Sequence, residues 1–285
     1  MAQEGASRGF ASSGFGELLR GWRHDRRLSQ EALAHEAEIS QRHLSCLESG
    51  RSSPSRQMAL HLAHVLDVPL RDRNLMLGAA GFAPAYAHRT LEGPELAAVD
   101  QALDLMLGGL EPCPAIAIDR AWNLVRANGA ALATFAAFVD LDTVFARIDA
   151  PGGGPNMLWL LYHPEGLRPW IRDWQEVGPA MLDRIRREVA ADPAWAGGAE
   201  LLHALQELAG FAPGARAWTP TPDPVLTLTL ERDDVRLRLF TMMATFGTAQ
   251  DVTVQELRVE AFFPADDASR ATLEQLRRAR APAAG

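Results

Sequence analysis

Hydrogen-bonding side chains gather on one side of a short predicted helix that starts after Ser40. At about 100° per residue, Arg42, Ser45 and Cys46 point away from the buried leucines, and Gln41 lies at the flank of the first turn. A helix that reads base edges carries such groups near its N-terminus, where the dipole and free N–H groups favour phosphate. Gln suits adenine and Arg suits guanine, each bidentate contact giving about 1 to 3 kcal/mol of discrimination. The first candidate chemistry is therefore hydrogen bonding to nucleobases.

A second group of polar side chains lies in the stretch YHPEGLRPW, which contains His163, Glu165 and Arg168. These residues could perform acid–base chemistry, with Arg168 as an anchor for a carboxylate, but a loop that caps the next helix is the favoured interpretation. His61 and His64 have an i, i+3 spacing that metal sites can use. Because no third ligand lies nearby in the sequence, we expect neither a metal nor a cofactor.

Aromatic and methionine side chains of the C-terminal half are candidates for the wall of a cavity. A cavity wall and a protein core have the same apolar composition, so the sequence does not separate them, and packing is the default interpretation. Together with His163 and Arg168, the candidate ligand-binding residues are Trp122, Phe135, Trp159, Phe240, Met242 and Phe246, and Phe138 has the same character.

The charge of the chain is unevenly distributed. With 285 residues, of which 47% are hydrophobic and 22% are charged, the chain is predicted to form a globular protein of two domains. The net charge is −8, but residues 1–90 carry 11 Arg against 9 acidic residues, which gives +2, and the remainder carries 17 against 27, which gives −10. An excess of +2 is only a weak electrostatic signal for nucleic-acid binding.

Cysteine usage and the N-terminal sequence indicate the compartment. Cys46 and Cys113 have no C-x-x-C spacing, so neither a disulfide framework nor a zinc site is predicted, and a reducing cytoplasm fits best. The N-terminal stretch lacks the pattern of a signal peptide. The longest nearly apolar run, Gly129 to Val139, is too short to cross a bilayer, so no membrane partner is expected.

Apolar periodicity predicts five short helices in the first part of the chain. In the first helix, apolar residues recur at spacings of three and four and form one stripe. Ser29 and Ser40 are predicted N-cap residues of the second and third helices, and the fourth helix is predicted to begin near Ser55. Gly50 and Gly81 are good residues to end the third and fifth helices.

Alternating apolar residues predict strands further along the chain. The stretch PAIAIDRAWNLVRAN is interpreted as two strands joined by a turn, and VLTLTLERDDVRLRLF as a second hairpin. In ELRVEAFF, we expect Leu257, Val259, Ala261 and Phe263 on one side of a further strand. Between the first pair of strands and these, helices are predicted at roughly Gly129 to Val139, Trp170 to Ala191 and Gly198 to Ala209. The expected fold is an all-α N-terminal domain of five helices, followed by an α+β domain with a five-stranded, mainly antiparallel sheet.

Changes in pattern divide the chain into five segments. Residues 1–14 are predicted to form a flexible tail, and residues 15–82 the helical domain. The Pro-, Gly- and Ala-rich residues 83–95 are predicted to form a linker. Residues 96–266 form the expected α+β domain, and residues 267–285 a C-terminal helix or tail.

The stretch SQEALAHEAEISQRHLSCLESG resembles the helix-turn-helix of the lambda-repressor-like (Xre/Cro) family. The shared features are Gln at the start of the second helix, an apolar residue and Ser before the third, and Leu-Glu-x-Gly at its end. The resemblance implies base contacts from Ser40, Gln41, Arg42, Ser45 and Cys46. It also implies phosphate or backbone contacts from Gln30, His43 and Arg51, and a bracing pair formed by Arg23 and Glu48.

One position departs from this pattern: Glu38 stands where the family usually has Gly. A left-handed backbone costs about 1 to 2 kcal/mol for a residue other than Gly. We therefore expect either a slightly different turn or a strain that the fold tolerates.

The resemblance to known regulators extends beyond this domain. Over about residues 15 to 265, the chain is similar to the MmyB-like regulators. It includes HPEGLRPWIRDW and GTAQDVTVQELRVEAFFPAD. The similarity implies a transcription regulator, not an enzyme, with a PAS-like ligand-binding domain for an apolar or fatty-acid-like effector. The implied partners are double-stranded DNA, with a palindromic operator, and a second copy of the chain in a homodimer.

Two alternatives for the C-terminal domain stay open at this point. It could bind a protein partner, as an antitoxin-like protein does. It could also be an enzyme fused to a helix-turn-helix, in which case its chemistry would depend on the loop that contains His163.

Overall fold

The structure is a computed structural model that describes residues 14–148, 150, 154–191, 195, 197–211 and 224–280. All of the predicted tail except residue 14, and the last residues of the predicted C-terminal segment, lie outside the described residues. The chain divides into two compact units. The first consists of Met1–Arg89 with Ala249–Gln255, and the second of Thr90–Thr248 with Glu256–Gly285.

Five helices form the greater part of the first unit and confirm the predicted all-α domain. Their bounds are α1 Phe15–Asp25, α2 Gln30–Glu36, α3 Gln41–Glu48, α4 Arg56–Val65 and α5 Leu70–Ala79. The predicted caps Ser29 and Ser40 each accept a hydrogen bond from a backbone N–H three residues later, at 3.0 and 3.2 Å, and Ser55 accepts a similar bond at 3.1 Å. Each cap satisfies a donor that the helix itself leaves without a partner.

The backbone of α1 meets the C-terminal end of α3 at Gly16. A Cβ atom at this position would lie 2.5 Å from the carbonyl oxygen of Leu47 and 2.6 Å from that of Glu48. Only glycine permits so close an approach of two backbones. The close packing of α3 against α1 therefore depends on the absence of a side chain at Gly16.

Five strands form the sheet of the second unit, and all of their pairings are antiparallel, as predicted. The bounds are β1 Ala115–Ile118, β2 Leu124–Ala127, β3 Leu228–Arg232, β4 Val235–Thr245 and β5 Arg258–Pro264. The order in the sheet is β2-β1-β5-β4-β3. The predicted hairpin is β3-β4, in which Leu228 pairs with Leu239 and Leu230 with Leu237.

Helices surround this sheet and bury its core. Those of the second unit are α6 Ala97–Gly109, α7 Gly129–Ala136, α8 Leu141–Arg147, α9 Met157–Tyr162, α10 Trp174–Ala191, α11 Gly198–Ala209 and α13 Asp267–Arg280. The sequence predicted α7, α10, α11 and α13 but not α9, whose sequence MLWLLY is apolar almost throughout and so has no periodicity. Among the described residues no single helix is long and apolar enough to cross a bilayer, although α7 and α8, bent by 79°, pass that test together by length and composition.

Both faces of β5 are buried around Glu260. Val259 and Ala261, expected on one side of the strand, are buried, and so are Glu260 and Phe262 at the alternate positions. The face with Glu260 is covered by side chains of other elements, among them Arg184 of α10, which donates to the carboxylate at 3.3 Å. A carboxylate is therefore enclosed where the sequence pattern suggested an exposed one.

The segment Ala249–Gln255 follows β4 in the chain but belongs to the first compact unit. It contains all but the last residue of the short helix α12, Val252–Glu256. Gln255 Oε1 accepts a hydrogen bond from the backbone N–H of Leu70 at 2.7 Å and so caps α5. Asp251 accepts a hydrogen bond from Arg89 at 3.0 Å. The predicted boundary near residue 90 does not anticipate this segment, because these partners are distant in the sequence.

Candidate DNA-binding surface and ligand cavity

The first turn of α3 presents polar side chains to solvent. Gln41, Arg42 and His43 are exposed, whereas Leu44 and Leu47 are buried. Among the described residues, Arg42 forms no ion pair, so its guanidinium is available for contacts outside the chain. The helix has the two-sided character that its sequence indicated.

The other residues predicted to face DNA lie on or beside this helix. Ser40 Oγ is engaged in the N-cap bond to the backbone N–H of His43. Ser45 and Cys46 are only partly exposed. Arg51 donates to Ser49 Oγ at 2.9 Å, which holds its guanidinium beside the C-terminal half of α3. The roles of these residues in DNA contact stay predictions.

Glu48 is the centre of a hydrogen-bonded cluster at the buried end of α3. Arg23 Nε and Nη2 donate to its two carboxylate oxygens at 2.6 and 3.0 Å. Gln30 Nε2 donates to Oε2 at 2.8 Å, and Arg20 donates to the backbone carbonyl at 3.0 Å. Burial alone would raise the pKa of Glu48, but the hydrogen bonds from Arg23 and Gln30 hold that pKa below its usual range. The start of α2 and the middle of α1 are thus both attached to α3.

Gln30, the predicted phosphate contact, is the first residue of α2 and is half-buried. Its amide nitrogen carries two hydrogens, and the bond to Glu48 uses one of them. The second hydrogen stays available to an anion at the helix N-terminus, where the free N–H groups also favour negative charge.

Glu38, which stands where the family usually has Gly, adopts a strained backbone conformation. Its φ is 53°, in the left-handed region. Its backbone N–H donates to the carbonyl oxygen of His35 at 3.1 Å, which closes the end of α2. Of the two expectations stated above, tolerated strain is the one that the structure adopts.

A cavity of about 330 Å³ lies in the second unit and is bounded by α10 and by strands of the sheet. Its volume is in the range of small-molecule sites, roughly 300 to 1,000 Å³. The wall is mostly apolar and includes Ile116, Trp122, Phe135, Leu158, Phe240 and Phe262.

Three of the residues predicted to bind a ligand line this cavity: Trp122, Phe135 and Phe240. The other predicted residues are not among those that the described structure places on its wall: Trp159, His163, Arg168, Met242 and Phe246.

Arg168, His163 and Met242 have other surroundings in the structure. The Arg168 guanidinium donates to the carbonyl oxygen of Leu208 and lies 5.3 Å from the ring centre of Trp174, so it braces α11. His163 Nδ1 accepts a hydrogen bond from the backbone N–H of Glu165 at 3.1 Å, within its own turn. Met242 is 59% exposed on β4. The favoured interpretation of this loop, a folded turn, agrees with these contacts.

The polar groups of the cavity wall, Arg184 and Arg187 on α10 and Glu260 on β5, were not among the predicted site residues. A signal for the two arginines was present, because they continue the helical face that starts with Val177 and Met181 at spacings of three and four. No comparable signal marked Glu260, because its burial depends on contacts with segments that are distant in the sequence, such as Arg184.

Two of these polar groups, Arg184 and Glu260, belong to a cluster around Trp122 that also contains Arg258 and Glu188. The guanidinium carbons of Arg184 and Arg258 lie 4.7 and 5.0 Å from the Trp122 ring centre, and the indole N–H donates to Glu188 at 3.1 Å. Arg184 also donates to Glu260 at 3.3 Å. Burial raises the pKa of Glu260, and the nearby Arg184 offsets part of that rise.

No group of three or more His, Cys, Asp or Glu side chains that could hold a metal ion occurs within the described part of the chain. His61, one of the two histidines with metal-site spacing, has its Nε2 atom 2.9 Å from the carbonyl oxygen of Ala37.

The first unit presents an exposed helix that follows a tight turn and is braced by the other helices. The second is an α+β unit with an apolar cavity. Together these features define a class of protein. That class is the helix-turn-helix regulator with a ligand-binding domain. Residues 15–76 match a family model described as a helix-turn-helix domain, and residues 99–276 match the MmyB-like transcription regulator ligand binding domain. The second match covers more than half of the chain, which therefore belongs to the MmyB-like transcription regulators. Both resemblances found in the sequence are confirmed.

The two matched models describe regulator domains and not enzymes. A search of curated proteins found no match to the chain. The two family matches identify the chain as a DNA-binding transcription regulator with a ligand-binding domain.

Proposed function

We propose that this regulator binds a palindromic operator as a homodimer and that its second domain senses an apolar or fatty-acid-like effector. The observation that carries the DNA-binding part is the exposed first turn of α3, with Gln41 and Arg42 in solvent and Glu48 buried in its cluster. A recognition helix needs this combination, because base contacts demand free side chains on a rigid support.

In this proposal, Arg42 and Gln41 contact base edges in the major groove, while Gln30, His43 and Arg51 contact the DNA backbone. Backbone contacts position the protein, and base contacts give specificity. Arg42→Ala is therefore expected to relax base preference, and Gln30→Ala to weaken binding to all duplexes alike.

A homodimer would present two copies of α3 to successive major grooves, about 34 Å apart. An effector changes DNA affinity only if it binds the DNA-competent arrangement and the other arrangement with different affinity. The cavity, with its mostly apolar wall, is the feature that supports an apolar effector.

Selection of bound duplexes from a random pool, with the full-length protein, tests the DNA-binding proposal. We expect a palindrome whose half-sites are about 10 base pairs apart, centre to centre. Arg42→Ala should broaden the recovered sequence at one position of each half-site. Arg278→Ala, which removes the same charge from an exposed position on α13, is the matched control and should leave the sequence unchanged.

Recovery of no enriched sequence at low salt would contradict the proposal. The effector part is tested separately, by extracting the purified protein with organic solvent and identifying bound compounds. A protein that co-purifies in place of any bound compound would instead favour the antitoxin-like alternative.

A further inference from the structure

Arg184 and Arg187 both line the cavity, but Arg184 is already engaged by the chain itself. Its Nε atom donates to Glu188 at 3.2 Å, its Nη1 atom donates to Glu260 at 3.3 Å, and its Nη2 atom contacts the sulfur of Met243. Turning Arg184 towards a ligand would leave the buried Glu260 carboxylate without its cation, which is strongly unfavourable. Arg184 is therefore not available to bind a ligand.

Arg187 lies about one turn further along α10 and has a different environment. Its side chain is 68% exposed, compared with 24% for Arg184. Asp183 is its ion partner among the described residues, at 3.5 Å, and the same carboxylate also pairs with Arg186 at 3.3 Å. Since one carboxylate serves two guanidiniums, the ion pairs of the described residues leave one positive charge uncompensated at the exposed side of the cavity.

The inner wall carries no such excess. Arg184 and Glu260, its charged residues, pair with each other at 3.3 Å, and Arg184 also pairs with Glu188, which in turn pairs with Arg258. Apart from Thr241, the rest of that wall is apolar. The cavity thus has a neutral, apolar interior and a cationic rim.

We propose that Arg187 is the residue that selects the head group of the effector, by binding an anionic group at the rim while an apolar chain fills the interior. This inference rests on the proposed effector function and adds to it an orientation and a specificity residue. A guanidinium can form two parallel hydrogen bonds with a carboxylate, which an alcohol of the same length cannot match.

The test compares dodecanoate with dodecanol, bound to the full-length protein and followed by calorimetry. These probes share their chain and differ in the charge of the head group. We expect dodecanoate to bind about tenfold more tightly at low salt, and the difference to shrink as salt is added. For either probe, each methylene removed should weaken binding roughly fourfold, as long as the chain lies inside the cavity.

Three variants assign the preference to one side chain. Arg187→Gln should lower the affinity for dodecanoate about tenfold and leave that for dodecanol unchanged. Arg278→Gln is the control, because Arg278 is an exposed arginine on α13 that does not line the cavity, and it should change neither affinity. Arg184→Gln should weaken both probes alike and lower the thermal stability, as expected of a residue that supports the wall.

Equal binding of the two probes by the wild-type protein, or an unchanged preference in Arg187→Gln, would overturn the assignment while leaving an apolar effector in place. A selective loss of dodecanoate binding in Arg184→Gln would transfer the role to Arg184 and overturn it as well. Binding of neither probe would contradict the effector proposal itself, and the inference with it.

Discussion

Arg23 Nε lies 2.6 Å from one carboxylate oxygen of Glu48, and Arg23 Nη2 lies 3.0 Å from the other, so one guanidinium holds the end of α3 by two parallel hydrogen bonds. The side chains are 8% and 1% exposed. A buried charge that loses its partner is costly, and the pair therefore favours one register of α1 against α3. The exposed turn with Gln41 and Arg42 is rigidly presented for this reason.

Glu48→Gln should lower the free energy of unfolding of the first unit by about 3 kcal/mol, because Arg23 stays buried without a counter-charge. Hydrogen exchange at the amides of α1 and α3 measures this change for the unit itself. Arg20→Gln is the control, since Arg20 is half-exposed and lies 3.9 Å from the carboxylate, and it should cost less than about 1 kcal/mol. Similar losses in both variants would contradict the special role of the buried pair.

The same pair predicts a dependence on pH. The pKa of Glu48 is lower in the folded protein than in the unfolded chain, where a Glu titrates near 4.3, so the unfolded state binds the proton more readily. The stabilisation from the ionised carboxylate is therefore complete above about pH 4.3 and is lost as the pH falls through the lower folded value. The difference in unfolding free energy between the wild type and Glu48→Gln should narrow as the solution is acidified. A difference that stays constant with pH would refute this account.

Gly16→Ala should destabilise the first unit by roughly 1 to 3 kcal/mol, because the added methyl group meets the backbone of α3. Gly21→Ala, in the same helix but with no atom within 4 Å of the new Cβ, should instead stabilise it by about 0.5 to 1 kcal/mol. Thermal unfolding of the two variants side by side checks the sign of each effect. A gain of stability in Gly16→Ala would show that α1 and α3 do not approach so closely.

Glu38→Gly should stabilise the first unit by about 1 kcal/mol, since Gly adopts the left-handed conformation without steric cost. Glu31→Gly, at an exposed position within α2, should have the opposite sign and a size of up to about 1 kcal/mol. The comparison is made by denaturant unfolding at neutral pH. Destabilisation by both changes would mean that the turn is not strained.

Gln255→Ala should destabilise α5 by about 1 kcal/mol, because it removes the acceptor for the backbone N–H of Leu70. Hydrogen exchange of the first turn of α5 is the direct measurement. Gln275→Ala, at an exposed position on α13, should leave that exchange unaltered. Unchanged protection in Gln255→Ala would remove the residues after β4 from any role in the stability of the first unit.

Local signals were sufficient for the five-helix unit. The stripe of α1, the serine caps and the spacing of polar residues on α3 all act within a few residues of each other, so the sequence alone determined the helices, the turn and the exposed set led by Gln41 and Arg42. The strained turn at Glu38 could also be anticipated, because a left-handed position has a known preference for glycine. The alternation in β3 and β4 likewise predicted their hairpin.

Tertiary structure alone decided the cavity and the composition of the first unit. Glu260 is buried because side chains from distant segments cover it, among them Arg184 of α10 at 3.3 Å from the carboxylate. Trp122 lines the cavity while Trp159 does not, although both are aromatic residues of the same half of the chain. Gln255 reaches Leu70 across 185 positions. Contacts between distant segments depend on how complete elements pack together, and a pattern read over a few neighbouring residues carries no record of that packing.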